Sequence, residues 1–143
     1  MPEIHHQLTI HATPEAVYDA LTRAEGLASW WTTDVVAEPR VGAVAEFGFN
    51  NRRTVFRMEI TELRPSTSVR WRCVGGHPEW DGTEIVFALT PAPEGTVLRL
   101  HHLRWQWRDG VLAQCSFDWA RYLMSLRAYA ETGTGTPHGE AVR

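Results

Sequence analysis

Residues 113–132, AQCSFDWARYLMSLRAYAET, set Trp119, Leu123, Leu126 and Ala130 at helical spacing, with Tyr122 and Tyr129 flanking the stripe. Gly133 follows at the place of a left-handed C-cap. A helix of about twenty residues is roughly 30 Å long, enough to lie across a sheet. The sheet comes from the preceding segment. Six candidate strands, at 34–38, 43–50, 54–64, 67–75, 82–91 and 95–104, are separated by Pro39, Gly42, Asn50-Asn51, Pro65-Ser66, Gly75-Gly76 and the Pro91–Gly95 stretch, all turn chemistry. Links this short join antiparallel strands. Alternation assigns the faces: Phe56, Met58 and Ile60 against Arg57 and Glu59, and Val69, Trp71 and Cys73 against Arg70 and Arg72. Ile85, Phe87 and Leu89 share a face, as do Leu98, Leu100 and His102, with Arg99 opposite. One face is therefore apolar and aromatic. The other carries mixed charge, read as cross-strand pairing or, alternatively, as a polar protein-docking surface.

Further upstream, residues 3–11 (EIHHQLTIH) alternate with period two, as a half-buried strand does. Thr13-Pro14-Glu15 supplies an N-cap hydroxyl, a proline for the first helical position and an early acid. Val17, Leu21 and Ala24 share a face, so a helix runs to about Arg23; Gly26 is expected to interrupt it, and 27–31 (LASWW) reads as a second short helix. The order β-α-α-β6-α predicts an α+β protein whose curved seven-stranded antiparallel sheet wraps around the long C-terminal helix. Residues 1–132 are expected to form a single domain and 133–143 a C-terminal tail.

The chain has 143 residues, 43% of them hydrophobic and 22% charged, with net charge −3 and seven tryptophans, which excludes a disordered polymer. No window approaches the length of apolar residues a membrane span needs. Met1 to His6 shows neither a cationic nor an apolar leader region, and a cytoplasmic protein is expected. All 14 basic residues are arginine, so a lysine nucleophile or Schiff base is excluded. The arginines are spread among 17 acids with no basic run, and nucleic acid is not an expected partner. Cys73 and Cys115 form no C-x-x-C pair and read as buried thiols. No G-x-S-x-G elbow, Cys-His signature or phosphate loop is present.

Residues 12–21 (ATPEAVYDAL), 27–31 (LASWW), 80–84 (WDGTE), 102–105 (HLRW) and 125–138 (SLRAYAETGTGTPH) follow one another in an order that resembles the START-like, or SRPBCC, superfamily. Within it the chain is most similar to the branch related to the activator of heat-shock-protein-90 ATPase. The resemblance implies a helix-grip fold with a cavity between sheet and helix and with the first and last strands adjacent. His6 is then expected near His102 inside, and His5 near His101 outside. Two imidazoles can begin a zinc site, but no third ligand has fitting spacing, so neither a metal nor another cofactor is expected.

Trp30, Trp31, Phe47, Phe49, Phe56, Met58, Trp71, Phe87 and Trp119 are candidates for the space between sheet and helix, as core or as walls of an apolar site. His102 faces inward by alternation, where a neutral imidazole could meet a ligand carbonyl or hydroxyl; a core histidine satisfied by Trp105, a backbone carbonyl or Asp118 is the other reading. Arg104, Asp118 and Tyr122 are placed at the mouth, and His138 is read as a solvated tail residue. The expected ligand-binding set is Trp30, Phe47, Phe49, Phe56, Met58, Trp71, Phe87, His102, Trp119 and Tyr122, with no catalytic residue. The expected function is binding of a small hydrophobic or amphipathic molecule, such as a lipid or polyketide. The alternatives are a chaperone-associated interaction module and a cyclase- or dehydratase-like enzyme using a His102–Asp118 pair. A homodimer stays open.

Overall fold

The computed structural model describes residues 1–139; of the tail expected at 133–143, residues 140–143 lie outside the described residues. The elements are β1 (Ile4–Ile10), α1 (Pro14–Thr22), α2 (Ala24–Trp30), β2 (Asp34–Val36), β3 (Val44–Phe49), β4 (Thr54–Arg64), β5 (Ser68–Gly75), β6 (Glu84–Ala92), β7 (Gly95–Leu103) and α3 (Leu112–Thr132). The strands make one antiparallel sheet in the order β1-β7-β6-β5-β4-β3-β2. It is a meander whose first strand returns to pair with the last. This is the α+β helix-grip arrangement, with the order β-α-α-β6-α. The ladder between β4 and β5 shifts register between Arg57 and Met58 and again between Ile60 and Glu62. Such irregularities bend and twist a strand, and both fall in β4, the longest strand. No helix among the described residues is long and apolar enough to cross a membrane.

The cap at α1 forms as read: Ala16 N–H donates to Thr13 Oγ1 at 3.2 Å. The break between α1 and α2 falls elsewhere than expected. Arg23, with φ −87° and ψ 140°, separates them, and Gly26 lies inside α2. Its role is close approach, because a Cβ there would stand 2.8 Å from the Cα of Ala20. The two helices back onto each other at this point, and Trp30 Nε1–H donates to Ala20 O at 2.8 Å. At the other end of the chain Gly133, with φ 88°, caps α3 by donating to Tyr129 O.

Residues 134–138 turn back over the fold. Thr136 N–H donates to Ser125 Oγ at 2.8 Å, and His138 N–H donates to Trp31 O at 2.8 Å. The His138 ring packs against Phe49 at 5.0 Å, so it is half-buried and not a solvated tail residue.

On the outer face Glu46 pairs with Arg52 and Arg57, Glu59 with Arg72, Glu62 with Arg64 and Arg70, and Glu84 with Arg70 and Arg104. Exposed pairs of this kind stabilise by about 0–1 kcal/mol each. Arg104 is thus held outside, 3.0 Å from Glu84 at a left-handed φ of 67°, and not at the mouth of a cavity.

Two stability outcomes follow from the packing. Helix propensity alone favours Ala over Gly by about 1 kcal/mol, yet Gly26→Ala should lower the urea unfolding midpoint, by an amount equivalent to about 1–3 kcal/mol, because backbone must shift. Trp71→Ala should cost about 3–5 kcal/mol in the same measurement, since the ring is 2% exposed.

Candidate functional site: an aromatic cleft beside α3

The inner face builds two tiers of rings. Phe47 and Phe56 are register partners on β3 and β4, as are Ala45 and Met58. Trp30, Phe47, Met58 and Phe87 are 0% exposed and Trp71 is 2% exposed. Trp71 packs against Phe47 at 5.5 Å and edge-on against Phe87 at 5.1 Å. These five members of the expected binding set are core. Trp31, stacked on Trp71 at 5.9 Å, and Trp119, edge-on to Phe87 at 6.0 Å, stand between them and the space beyond.

That space is a cleft of about 390 Å³ against the first half of α3. Four of the expected residues line it: Phe49, Phe56, Trp119 and Tyr122. Five of the rings that line it touch one another in a closed series. Phe49 meets Phe56 at 5.7 Å, Phe56 meets Trp80 at 4.3 Å, Trp80 meets Trp119 at 6.2 Å, Trp119 meets Trp31 at 5.4 Å, and Trp31 returns to Phe49 at 6.1 Å. Val111, just before α3, and Cys115 on it complete that wall, and His77, Gln114, Asp118, Arg121 and His138 supply the polar groups.

His102 does not reach the cleft. Trp119 Nε1–H donates to His102 Nδ1 at 3.1 Å, and the other ring nitrogen, Nε2, lies 2.8 Å from Thr83 Oγ1. An indole only donates, so Nδ1 is the acceptor and the proton sits on Nε2. His102 Nε2–H therefore donates to Thr83, whose hydroxyl donates to Trp80 O at 2.6 Å. Both nitrogens are used, neither by the partners expected, and none is left for a ligand. Burial holds this imidazole far below its usual 6.5, at about 3.

The acid–base pair proposed for an enzyme is likewise not assembled. Asp118 accepts from Arg121 at 2.9 Å and from Gln114 at 3.1 Å, and the Arg121 guanidinium lies over the Tyr122 ring at 5.4 Å. Cys115 Sγ accepts from Trp80 Nε1–H at 3.2 Å. Burial raises its thiol to about 11, so the thiolate nucleophile is absent at neutral pH. His77 Nδ1 accepts from Glu79 N–H at 3.1 Å, leaving its proton on Nε2.

Of the two histidine pairings, only the outer one forms: His5 Nδ1 lies 2.7 Å from His101 Nδ1. His6 sits opposite Leu100 and its Nε2 takes Ser116 instead, 3.0 Å from the carbonyl. Among the described residues no three His, Cys, Asp or Glu gather as metal ligands would.

Residues that alternation missed come from the turns and from α3. Trp80 lies in the β5–β6 turn, where period two has no say; a tryptophan among turn formers was the available signal. His77 and His138 gave no such signal, because only the folded turn and the returning tail bring them to the rim.

A curved antiparallel sheet gripping one long C-terminal helix is the architecture of the START-like class. The family model described as Activator of Hsp90 ATPase homolog 1-like protein matches residues 11–131, and the chain belongs to that family. The solution structure of the Aha1 dimer from Colwellia psychrerythraea is 37% identical, with a TM-score of 0.87 over 94% of this chain and 100% of that one. A protein from Mesorhizobium loti is 21% identical, with a TM-score of 0.78 over 88% of this chain and 94% of that one. DynU16, a putative protein in the dynemicin biosynthetic locus, is 24% identical, with a TM-score of 0.78 over 93% of this chain and 48% of that one. The latter two show the fold alone. Among curated proteins none matches significantly.

The buried histidine makes stability depend on acid. The unfolded chain binds a proton at His102 below about pH 6.5, and the folded chain only near pH 3. Stability is therefore full above 6.5 and falls as pH drops through this window, at up to about 1.4 kcal/mol per pH unit. Urea unfolding at pH 6.5 and at 5 should show this loss in the parent and a smaller one in His102→Gln, whose amide can keep both hydrogen bonds. Equal losses in the two proteins would refute the assignment.

Proposed function

We propose that this chain binds a small apolar or amphipathic molecule in the cleft between the aromatic face of the sheet and the first half of α3, and that it does so in the cytoplasm. The observation that carries the reading is the cleft of about 390 Å³ lined by the mutually touching rings of Phe49, Phe56, Trp80, Trp119 and Trp31. A site of that size is within the usual range for small-molecule pockets. Desolvating apolar ligand area supplies the affinity, at about 25 cal/mol per Å² before the costs of association. The rim groups, with Tyr122 beside them, orient the polar end. Lipids and polyketides are the ligand classes proposed.

Native mass spectrometry of the protein as purified tests this directly. The expected result is a mass excess of a few hundred daltons that disappears on denaturation. A clean apo mass, together with no perturbation of the cleft tryptophans by any apolar probe, would overturn it.

The family description favours a second reading, a module that docks on a chaperone and modulates its ATPase. Phe117 and Met124, 62% and 51% exposed on α3, are apolar groups such docking would use. Under this reading the protein alters chaperone ATPase turnover and Phe117→Ser abolishes the effect; under the first it changes nothing. A homodimer is the assembly proposed by analogy with the dimeric relative. Light scattering would then return about twice the 16.2 kDa chain mass.

A further inference from the structure

We infer that two copies of this chain join by antiparallel pairing of their β1 edges across a two-fold axis normal to the sheet, with Phe117 and Met124 of α3 closing the seam. This names the surface of the homodimer proposed above and rests on that reading.

The two edges of the sheet are unlike. β2 is three residues long, and its Asp34 is ion-paired with Arg52 at 2.8 Å. The returning tail covers its start, where Thr33 N–H donates to His138 O at 3.1 Å. A short, charged and covered strand is what keeps an edge from recruiting another chain. β1 has none of these devices. Its seven residues, IHHQLTI, include no Asp, Glu, Lys, Arg, Pro or Gly. It pairs with β7 without a bulge, from Ile4 opposite His102 to Ile10 opposite Thr96, and among the described residues no strand pairs with its other side. Every second residue of such an edge turns its N–H and C=O away from the sheet. A second β1, running antiparallel, supplies partners for them, and two-fold symmetry makes the match reciprocal.

α3 extends the same flank. Ser116 O lies 3.0 Å from His6 Nε2, and the Glu131 carboxylate accepts from His11 N–H at 2.7 Å, so one side of the helix runs along β1. At about 100° per residue, Met124 and Phe117 stand about 20° and 40° round the helix from Glu131. They are large and apolar, yet 51% and 62% exposed. An axis normal to the sheet puts both helices on the same side of the joined sheet, antiparallel to each other. With the axis at Gln7, the middle of β1, Phe117 and Met124 flank it. Phe117 then meets the partner subunit's Met124, an aromatic–thioether contact. A stable dimer buries about 1,200–2,000 Å². A strand edge is one chain wide and falls short of that alone, and the α3 flank is where further apolar area comes from.

The test uses the full chain. Sedimentation velocity over a concentration series gives the dissociation constant of the dimer, and backbone amide exchange is followed at a concentration where the dimer dominates. The expected species has about twice the 16.2 kDa chain mass. The amides from His5 to Thr9 should all exchange slowly, whereas an open edge leaves every second one fast. Gln7→Lys puts a charge on the exposed face of the edge, and Phe117→Ser removes the apolar contact. Each should raise the dissociation constant at least about tenfold, a difference of about 1.4 kcal/mol. Val44→Ser, at a side chain 49% exposed on β3, should leave it unchanged. Retained dispersion of the amide spectrum shows that each variant folds.

A dimer whose β1 amides keep the alternating pattern, or which either folded variant leaves as tight as the parent, overturns this interface and leaves the homodimer. A chain that stays monomeric at about 1 mM overturns both. A monomer whose Phe117 and Met124 resonances shift only when a chaperone is added assigns the flank to that partner and overturns the pairing.

Discussion

A buried hydrogen-bonded chain ties the helix to the sheet. Trp119 Nε1–H donates to His102 Nδ1, His102 Nε2–H donates to Thr83, and the Thr83 hydroxyl donates to Trp80 O. Because the indole can only donate, every later bond in the series has one direction. The chain runs from α3 through β7 to the end of the β5–β6 turn, three elements that share no local sequence. His102 is 0% exposed and Thr83 1%, so a broken link would leave a buried polar atom unsatisfied, at about 1–3 kcal/mol. Two of the rings it anchors, Trp119 and Trp80, are walls of the cleft. The groups that satisfy the core are therefore the groups that shape the site.

The same economy explains why so many large rings do not simply close the space. The deep tier is tied down before the cleft is reached: Trp30 by its bond to Ala20 O, Trp71 by rings on both sides, Phe87 by Trp71 and Trp119. Gly26 allows α2 to sit close enough to α1 for this tier to pack. Trp31 and Trp119 then cover it as a lid of fixed rings. Collapse of the cleft would require them to leave stacked or hydrogen-bonded positions, and interiors packed this densely do not deform gradually.

Strand faces were legible because period two reports face directly, and Phe56, Met58, Trp71, Phe87 and His102 all point inward. Depth was not legible. Alternation treats Met58 and Phe56 alike, although the register shift beside Met58 and the curvature of β4 leave one 0% exposed and the other on the cleft wall. His102 read as a ligand anchor for a similar reason: its partners, Thr83 and Trp119, come from a turn and from a distant helix. Gly26 read as a break because propensity is local, whereas the contact that demands glycine there is tertiary. The tail misled most. A stretch of Gly, Thr and Pro looks solvated, yet His138 is drawn in by backbone bonds with Trp31 and Thr33 that no side-chain pattern announces.

The distribution of charge bears on where specificity can reside. On the outer face each of Glu46, Glu59, Glu62 and Glu84 already has an arginine partner, several across strands, so a charged ligand or partner would have to displace existing pairs for little gain. The cleft differs in kind. Its apolar walls are satisfied without a ligand and lose nothing by receiving one, while the few polar atoms at its mouth still have capacity. Relatives with this fold at about 20% identity keep the sheet and helix. Rim positions such as His77, Gln114 and His138 lie outside the buried chain, so changing them leaves that chain intact. If the cleft binds a ligand as proposed, changing them would alter what its mouth accepts while Trp119, His102, Thr83 and Trp80 keep the cleft in being.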